Sequence, residues 1–355
     1  MILACFISWW LFFTSGYYPS PPPERPVNII LVIGDGMGLA HIALGELLSK
    51  PPSPLQRMEV VGLQKTHSSS HLETDSGASA TAIACGVKTF NSAEGVGPDS
   101  LPVITIMELA KEKGLKTGFV VTSPVVHATP AAFYAHVDSR GSYEDIARQL
   151  VRSDMDLFVG GGEKYFKERY SDKSNLIQDL EKKNYAVLRS EDPHVVFRLS
   201  KINKDKKIAA FTAYEDPARA TQGRTYLPGM VSEAIDAMKL RSDKGYFLLV
   251  EASQIDWASH ANDQEWLALE MQDTYSMLDV ILEKMDMNTL LIVTADHECG
   301  YISIKGKRAP RVEFGSKVHS SQMVPVFAHG PGAEEFAGIY ENTEIFQKMK
   351  MLLGL

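Results

Sequence analysis

Six apolar runs, each ending in a polar or glycine-rich turn, constrain the fold of this chain more than any other feature. They are Asn28–Ile33 before Gly-Asp-Gly-Met-Gly, Thr117–Val121 before Thr-Ser-Pro, and Asp156–Val159 before Gly-Gly-Gly. Then come Tyr246–Val250 before Glu-Ala-Ser, Leu290–Thr294 before Ala-Asp-His-Glu, and Met323–Ala328 before His-Gly-Pro-Gly. Runs apolar on both faces suit buried strands of a parallel sheet. Helical patterns separate them at Pro102–Lys113, Tyr143–Val151, Ser174–Lys183, Met230–Leu240, Glu265–Met285 and Glu344–Leu353. This alternation predicts a doubly wound α/β fold with a mostly parallel central sheet flanked by helices. The chain has 355 residues, 45% of them hydrophobic, which is enough for one large core. A single large domain over residues 27–355 is expected. Residues 163–228 are more polar and read as a candidate insertion within it.

The formal net charge of −8 gives no basic face for nucleic acid. Residues 1–13 are almost wholly apolar, too short to span a bilayer comfortably, and a Pro-rich leader follows to residue 26. The reading is a signal peptide with no basic residue ahead of its apolar run, an exported (periplasmic or extracellular) protein, and no stable membrane span. Cys5, Cys85 and Cys299 make no disulfide framework, and the last two read as buried free thiols.

The polar clusters fall just after the strand ends, where open α/β sheets bind ligands. Asp75-Ser76-Gly77-Ala78 opens a helix-compatible stretch of small residues, so the Ser76 hydroxyl can sit where backbone N–H groups favour an anion. Ser is a poor nucleophile until a base or metal activates it. Asp35 stands between glycines after the first run, and taken alone it reads as a helix cap before a ligand. Glu251, Asp256 and His260 follow the fourth run. Asp256 and His260, four residues apart, share a helix face and suit a zinc-like ion, while Glu251 suits a harder ion. Asp296 and His297 end the fifth run as further borderline-metal ligands. His319, alone before the sixth run, reads first as a packed or surface residue. Thr129 could give oxygen to magnesium, and Arg140 has the planar fork that clamps phosphoryl oxygens.

In order along residues 27–350, these motifs resemble the alkaline phosphatases. They are Asp-Gly-Met-Gly, Thr-Asp-Ser-Gly-Ala-Ser-Ala-Thr, His-Ala-Thr-Pro-Ala, Glu-x4-Asp-x3-His, Thr-Ala-Asp-His and a late His. The chain looks like a compact bacterial-type member. The resemblance implies metal-dependent hydrolysis of phosphate monoesters through a phosphoserine on Ser76, with release of inorganic phosphate. It implies one zinc among Asp256, His260 and His319, and a second among Asp35, Asp296 and His297. Magnesium would sit among Asp35, Thr129 and Glu251. Arg140 would bind phosphate oxygens, with Asp75 orienting it. Small phosphate monoesters are the implied substrates, with no nucleic-acid binding beyond dephosphorylation of ends, and a homodimer is the implied assembly. Five carboxylates in one pocket would repel and take up protons unless cations offset them.

Three positions depart from the family pattern. Glu73 replaces an aliphatic residue. His127 stands where some members carry Asp, and Trp257 where others carry Lys or His. The last two would flank the metal site and modulate the third ion, with zinc one candidate for it. A sulfatase would need a Cys/Ser-x-Pro-x-Arg context, which Ser76 lacks. A diesterase of the superfamily is the nearer rival, and a silent metal or phosphate binder the more distant one.

Overall fold

The computed structural model describes residues 25–306 and 310–355. The leader, Cys5 and nearly all of the expected signal segment therefore lie outside the described residues. Fourteen strands run in chain order: β1 Asn28–Gly34, β2 Val60–Lys65, β3 Lys116–Pro124, β4 Leu157–Gly161, β5 Tyr185–Arg189, β6 Lys207–Phe211 and β7 Tyr246–Ala252. They continue with β8 Thr289–Thr294, β9 Glu298–Cys299, β10 Ser303–Lys305, β11 Arg311–Glu313, β12 His319–Ser320, β13 Val324–His329 and β14 Gly338–Glu341. Ten of them form one sheet in the order β14-β2-β13-β8-β1-β7-β3-β4-β6-β5.

The expected α/β architecture is present, with one correction in strand direction. By the sequence pattern, the run at 323–328 groups with the buried parallel strands. It forms β13, which pairs antiparallel with both β8 and β2, while every other pairing in the large sheet is parallel. Burial dictates an apolar run but not its direction: Val324, Val326 and Ala328 of β13 are buried whichever way the strand runs.

Alternate residues of β1 feed two cores. Ile29, Leu31 and Ile33 pack with helices Ser76–Cys85, Ile106–Glu112, Tyr143–Ser153, Leu176–Lys182 and Asn342–Leu353. Ile30 and Val32 pack with helices Leu39–Leu48, Leu227–Arg241, Gln254–Ala261 and Gln264–Lys284. These two layers bury the sheet on both sides. Residues 163–228 contribute β5 and β6, which continue the same sheet beyond β4. No helix among the described residues is long and apolar enough to cross a membrane. Cys85 and Cys299 are buried free thiols, as read from the sequence.

The central position of β1 places the site. It lies between β7 and β8, far from both in sequence, so the C-terminal ends of three strands meet at one rim. Asp35 follows β1, Glu251 lies at the end of β7, and Asp296 follows β8. The strands that follow β1 lie on both sides of it in the sheet, and such a switch point is where open α/β sheets bind ligands.

Candidate active site

Helix Ser76–Cys85 begins at the site. Asp75 is its N-cap, accepting from Ala78 N–H at 3.0 Å. The helix is buried along its whole length, which its Gly, Ala and Ser composition permits without bulky clashes. Ser76 is buried at the first turn, with Oγ 3.4 Å from His297 Nε2. Arg140 Nη1 donates to Asp75 Oδ2 at 3.0 Å, so the capping carboxylate also fixes the guanidinium. Burial would raise the Asp75 carboxyl, but Arg140 and two backbone N–H groups outweigh it and hold Asp75 below its ordinary range.

Three groups of ligand atoms converge beside Ser76. Asp256, His260 and His319 form the first, with Cys299 beside them. His260 Nε2 and His319 Nε2 lie 3.2 and 3.4 Å from the Asp256 carboxylate and only 3.1 Å from each other. His260 Nδ1 meets Lys317 O at 2.6 Å, and His319 Nδ1 meets Thr74 O at 2.8 Å. A ring nitrogen facing a carbonyl must carry the proton, so in the neutral rings both Nε2 lone pairs are free and point at one spot. Helix Gln254–Ala261 supplies Asp256 and His260 one turn apart, as their spacing predicts. Ser253, not Asp256, occupies its N-cap position, without a side-chain capping hydrogen bond.

Asp35, Asp296 and His297 form the second group. His297 Nε2 is 3.2 Å from Asp296 Oδ2 and 3.6 Å from Asp35 Oδ1. The sequence reading of Asp35 as a cap fails here. Helix Leu39–Leu48 starts from Gly38, and both Asp35 oxygens are buried without a partner. Gly36 makes this approach feasible. Its φ is +75°, and a β-carbon there would meet Asp256 Cα and Cys299 Cβ at 3.0 Å.

Asp35, His127 and Glu251 form the third group. The hydroxyls of Ser253, Thr129 and Ser123 face Glu251. His127 lies edge-on to Trp257, with ring centroids 5.6 Å apart. Asp35, Asp75, Ser76, His127, Thr129, Arg140, Glu251, Asp256, His260, Asp296, His297 and His319 therefore come together at one rim, while Glu73 is exposed. Sequence reasoning missed the Cys299 thiol at the first group, Ser123 at the third, and Glu94 behind Arg140. The adjacency of Cys299 to Asp296-His297 was the one local signal among these.

Whether divalent cations fit is decided by the orphaned atoms. Buried without partners are Asp35 Oδ1 and Oδ2, Thr129 Oγ1, Glu251 Oε1, Asp256 Oδ1, Asp296 Oδ2 and His127 Nδ1. So many partnerless acceptors in one place are tolerable only around cations. Electrostatics agrees. Burial, then the charges of Asp296, Asp256 and Glu251, push Asp35 well above the carboxylate range. Burial lifts Glu251 to about 7 and Asp296 to about 6. Asp256 goes the other way: with no cation on their Nε2 atoms, His260 and His319 take up protons there and donate to Asp256, which outweighs burial and holds it well below its ordinary value. Burial and then His319 push His297 far down, leaving a neutral imidazole suited to ligation. Hard oxygen donors and imidazoles together match zinc and magnesium.

Comparisons with known proteins agree with this geometry. The family profile described as alkaline phosphatase matches residues 27–313 and 303–355. Alkaline phosphatase 4 of Bacillus subtilis is 32% identical over 343 residues, covering 90% of this chain and 72% of that protein. Alkaline phosphatase of Escherichia coli K12 is 29% identical over 414 residues, covering 94% and 87%. The solved alkaline phosphatase of the Antarctic bacterium TAB5 superposes with a TM-score of 0.88 at 38% identity, covering 93% of this chain and 99% of that one. The chain belongs to the alkaline phosphatase family and is a phosphomonoester hydrolase.

Proposed function

We propose that the chain hydrolyses small phosphate monoesters through a phosphoserine on Ser76, with zinc held by Asp256, His260 and His319, zinc held by Asp35, Asp296 and His297, and magnesium held by Asp35, Thr129 and Glu251. The observation that carries this reading is the convergence of three ligand groups, rich in orphaned buried atoms, on one serine at a helix N-terminus. When bound, the cations would supply positive charge that lowers the Ser76 pKa and steadies the departing oxygen. Ser76 Oγ attacks phosphorus in line and gives its proton to solvent, the bond to the leaving oxygen breaks, and that oxygen takes a proton from solvent and departs as the alcohol. Arg140, fixed by Asp75, holds two non-bridging oxygens through both steps. Water then attacks the phosphoserine, the bond from phosphorus to Oγ breaks, the proton that the water gives up restores the Ser76 hydroxyl, and phosphate leaves. We further propose an exported homodimer, with the apolar run at residues 1–13 supporting export and family membership supporting the dimer.

Hydrolysis of p-nitrophenyl phosphate, with the bis-p-nitrophenyl diester as control, tests the reading. Turnover of the monoester alone supports it, preference for the diester moves the chain to the diesterase rival, and turnover of neither leaves a binder. Arg140→Ala is expected to lower kcat/KM on the order of 10²-fold or more, by loss of a charged donor to the transition state. Steady-state kinetics check it, and an unchanged kcat/KM would remove Arg140 from the phosphate site.

His127 sets the third ion. Its Nδ1 is an orphaned nitrogen beside Asp35 and Glu251, and nitrogen favours zinc over magnesium. A histidine-to-glutamate variant of the TAB5 enzyme is described with magnesium bound in its M3 site. His127→Asp is therefore expected to tighten magnesium binding here, on the order of tenfold. Activation curves in magnesium, run with fixed zinc, report the change, and an unmoved midpoint would disconnect His127 from the ion.

A further inference from the structure

Residues 92–94 form a bracket that ties Asp75 to Arg140. Ser92 N–H donates to Asp75 Oδ2 at 3.1 Å, and Ser92 O accepts from Arg140 N–H at 2.7 Å. Glu94 and Val137 exchange both backbone hydrogen bonds at 2.9 Å, anchoring the segment that leads to Arg140. The Glu94 side chain is sealed behind this bracket, beside Gly77. It is 0% exposed, and both carboxylate oxygens are buried without a hydrogen-bond partner. Its Cγ lies against the first turn of the Ser76 helix. A β-carbon on Gly77 would stand 3.5 Å from Glu94 Cγ and 3.6 Å from Asp75 Oδ2.

An apolar side chain would fill this place at less cost than a partnerless carboxyl. Asp75, from the turn before the helix, and Arg140, from the loop before helix Tyr143–Ser153, lie near enough for their charges to act on Glu94, as does Tyr134 from the segment after the Ala128–Ala131 turn. His136 lies on the neighbouring residue, with Nδ1 2.6 Å from Gly95 O and Nε2 3.2 Å from Glu108 Oε1. The Ser76 helix offers Gly77 and Thr81, neither of which titrates. Burial pushes the Glu94 carboxyl well above the carboxylate range, Arg140 opposes this, and Asp75 adds to it.

We propose that Glu94 is a positioning residue for the phosphate group: it stands behind the Asp75–Arg140 pair, neutral when protonated, and on ionising it loosens Arg140's hold on the phosphate to be released. A new negative charge there shares the guanidinium and repels the phosphate dianion through a medium that screens poorly. The protonated form leaves Arg140 to the phosphate. Product release therefore eases as pH rises. This inference rests on the phosphomonoesterase reading above.

The test measures the inhibition constant of inorganic phosphate, with kcat and KM for p-nitrophenyl phosphate, for metal-loaded wild type and Glu94→Gln at about pH 7 and about pH 10. The ratio of wild-type to variant inhibition constants is expected near one at the lower pH and about threefold or more at the higher. The infrared difference between the two proteins is expected to hold a protonated-acid carbonyl band that fades as pH rises, which a merely structural role would not produce. Glu94→Leu, which lacks the charge and suits an apolar site, is expected to match Glu94→Gln and stands in for it if that variant does not fold. A ratio equal at both pH values, alongside normal turnover, overturns the role of Glu94 alone. A wild type that neither turns over the ester nor binds phosphate overturns the functional reading and this inference with it.

Discussion

Ser76→Ala is expected to reduce phosphomonoester turnover on the order of 10⁴-fold or more while leaving the fold in place. The fold should hold because Ser76 opens a helix built from Gly, Ala and Ser, where Ala is a good helix former. Its Oγ lies beside His297 and makes no structural bond that the packing needs. Turnover should collapse because, among the described residues, the other hydroxyls of this helix and of the turn before it are engaged elsewhere, Thr74 Oγ1 with Asp75 O at 3.1 Å. Ser79 Oγ is committed to Asp296 O at 2.7 Å, and Thr81 points to Ala93 O and Gly95 N. Loss of a nucleophile removes covalent catalysis outright, an effect of that scale in other serine hydrolases. Acid quenching during turnover of a radiolabelled phosphate ester should trap label on wild type and none on the variant. Phosphate binding by the variant should persist, since Arg140 is untouched. Activity within about tenfold of wild type would end the phosphoserine mechanism, because direct attack by water would then suffice.

The difference between what the residues said and what the fold added is physical. β1, β7 and β8 were legible because strands buried on both faces must be apolar throughout. β2 alternates exposed and buried positions, and β14 is short and mostly exposed, so neither carries that signature. β5 edges the sheet and β6 lies next to it, both only five residues long, inside a stretch whose loops are charged. Asp256 and His260 declared themselves by helical spacing. His319 did not, because it reaches the site through pairing of β12 with β9, which sets it opposite Cys299. That pairing is tertiary, and a lone histidine carries no trace of it. The family resemblance supplied His319 where spacing could not. Glu94 lay beyond both routes, since a glutamate in a polar turn gives no hint that its carboxyl is sealed from water.

Removing the metal ions is expected to abolish activity and to destabilise the protein more strongly as pH rises. In the metal-free state, Glu251 is pushed up to about 7 and Asp296 to about 6 by burial, and Asp35 lies higher than its ordinary value for the same reason. Each has a folded pKa above the unfolded one, so the folded form holds the extra proton. Stability from these groups is complete below the unfolded values near 4 and is lost as pH rises through about 6 to 7. The combined loss is on the order of a few kcal/mol. Asp256 has the opposite sign. Its stabilisation is present above its unfolded value and is lost only as pH falls through its low folded value, outside this window. With cations bound the balance reverses, because ligands must be deprotonated to bind and proton competition weakens with pH. An ion at about a thousandfold its Kd adds about 4 kcal/mol per site to the folded state. Calorimetric Tm with and without chelator, at about pH 5 and about pH 8, should therefore show a gap that widens with pH. Zinc with magnesium should close the gap and restore turnover together. A gap that narrows with rising pH, or Tm values that ignore the chelator, would mean that these carboxylates are not held for cations. Their burial without partners would then be a cost that the fold carries with nothing in return.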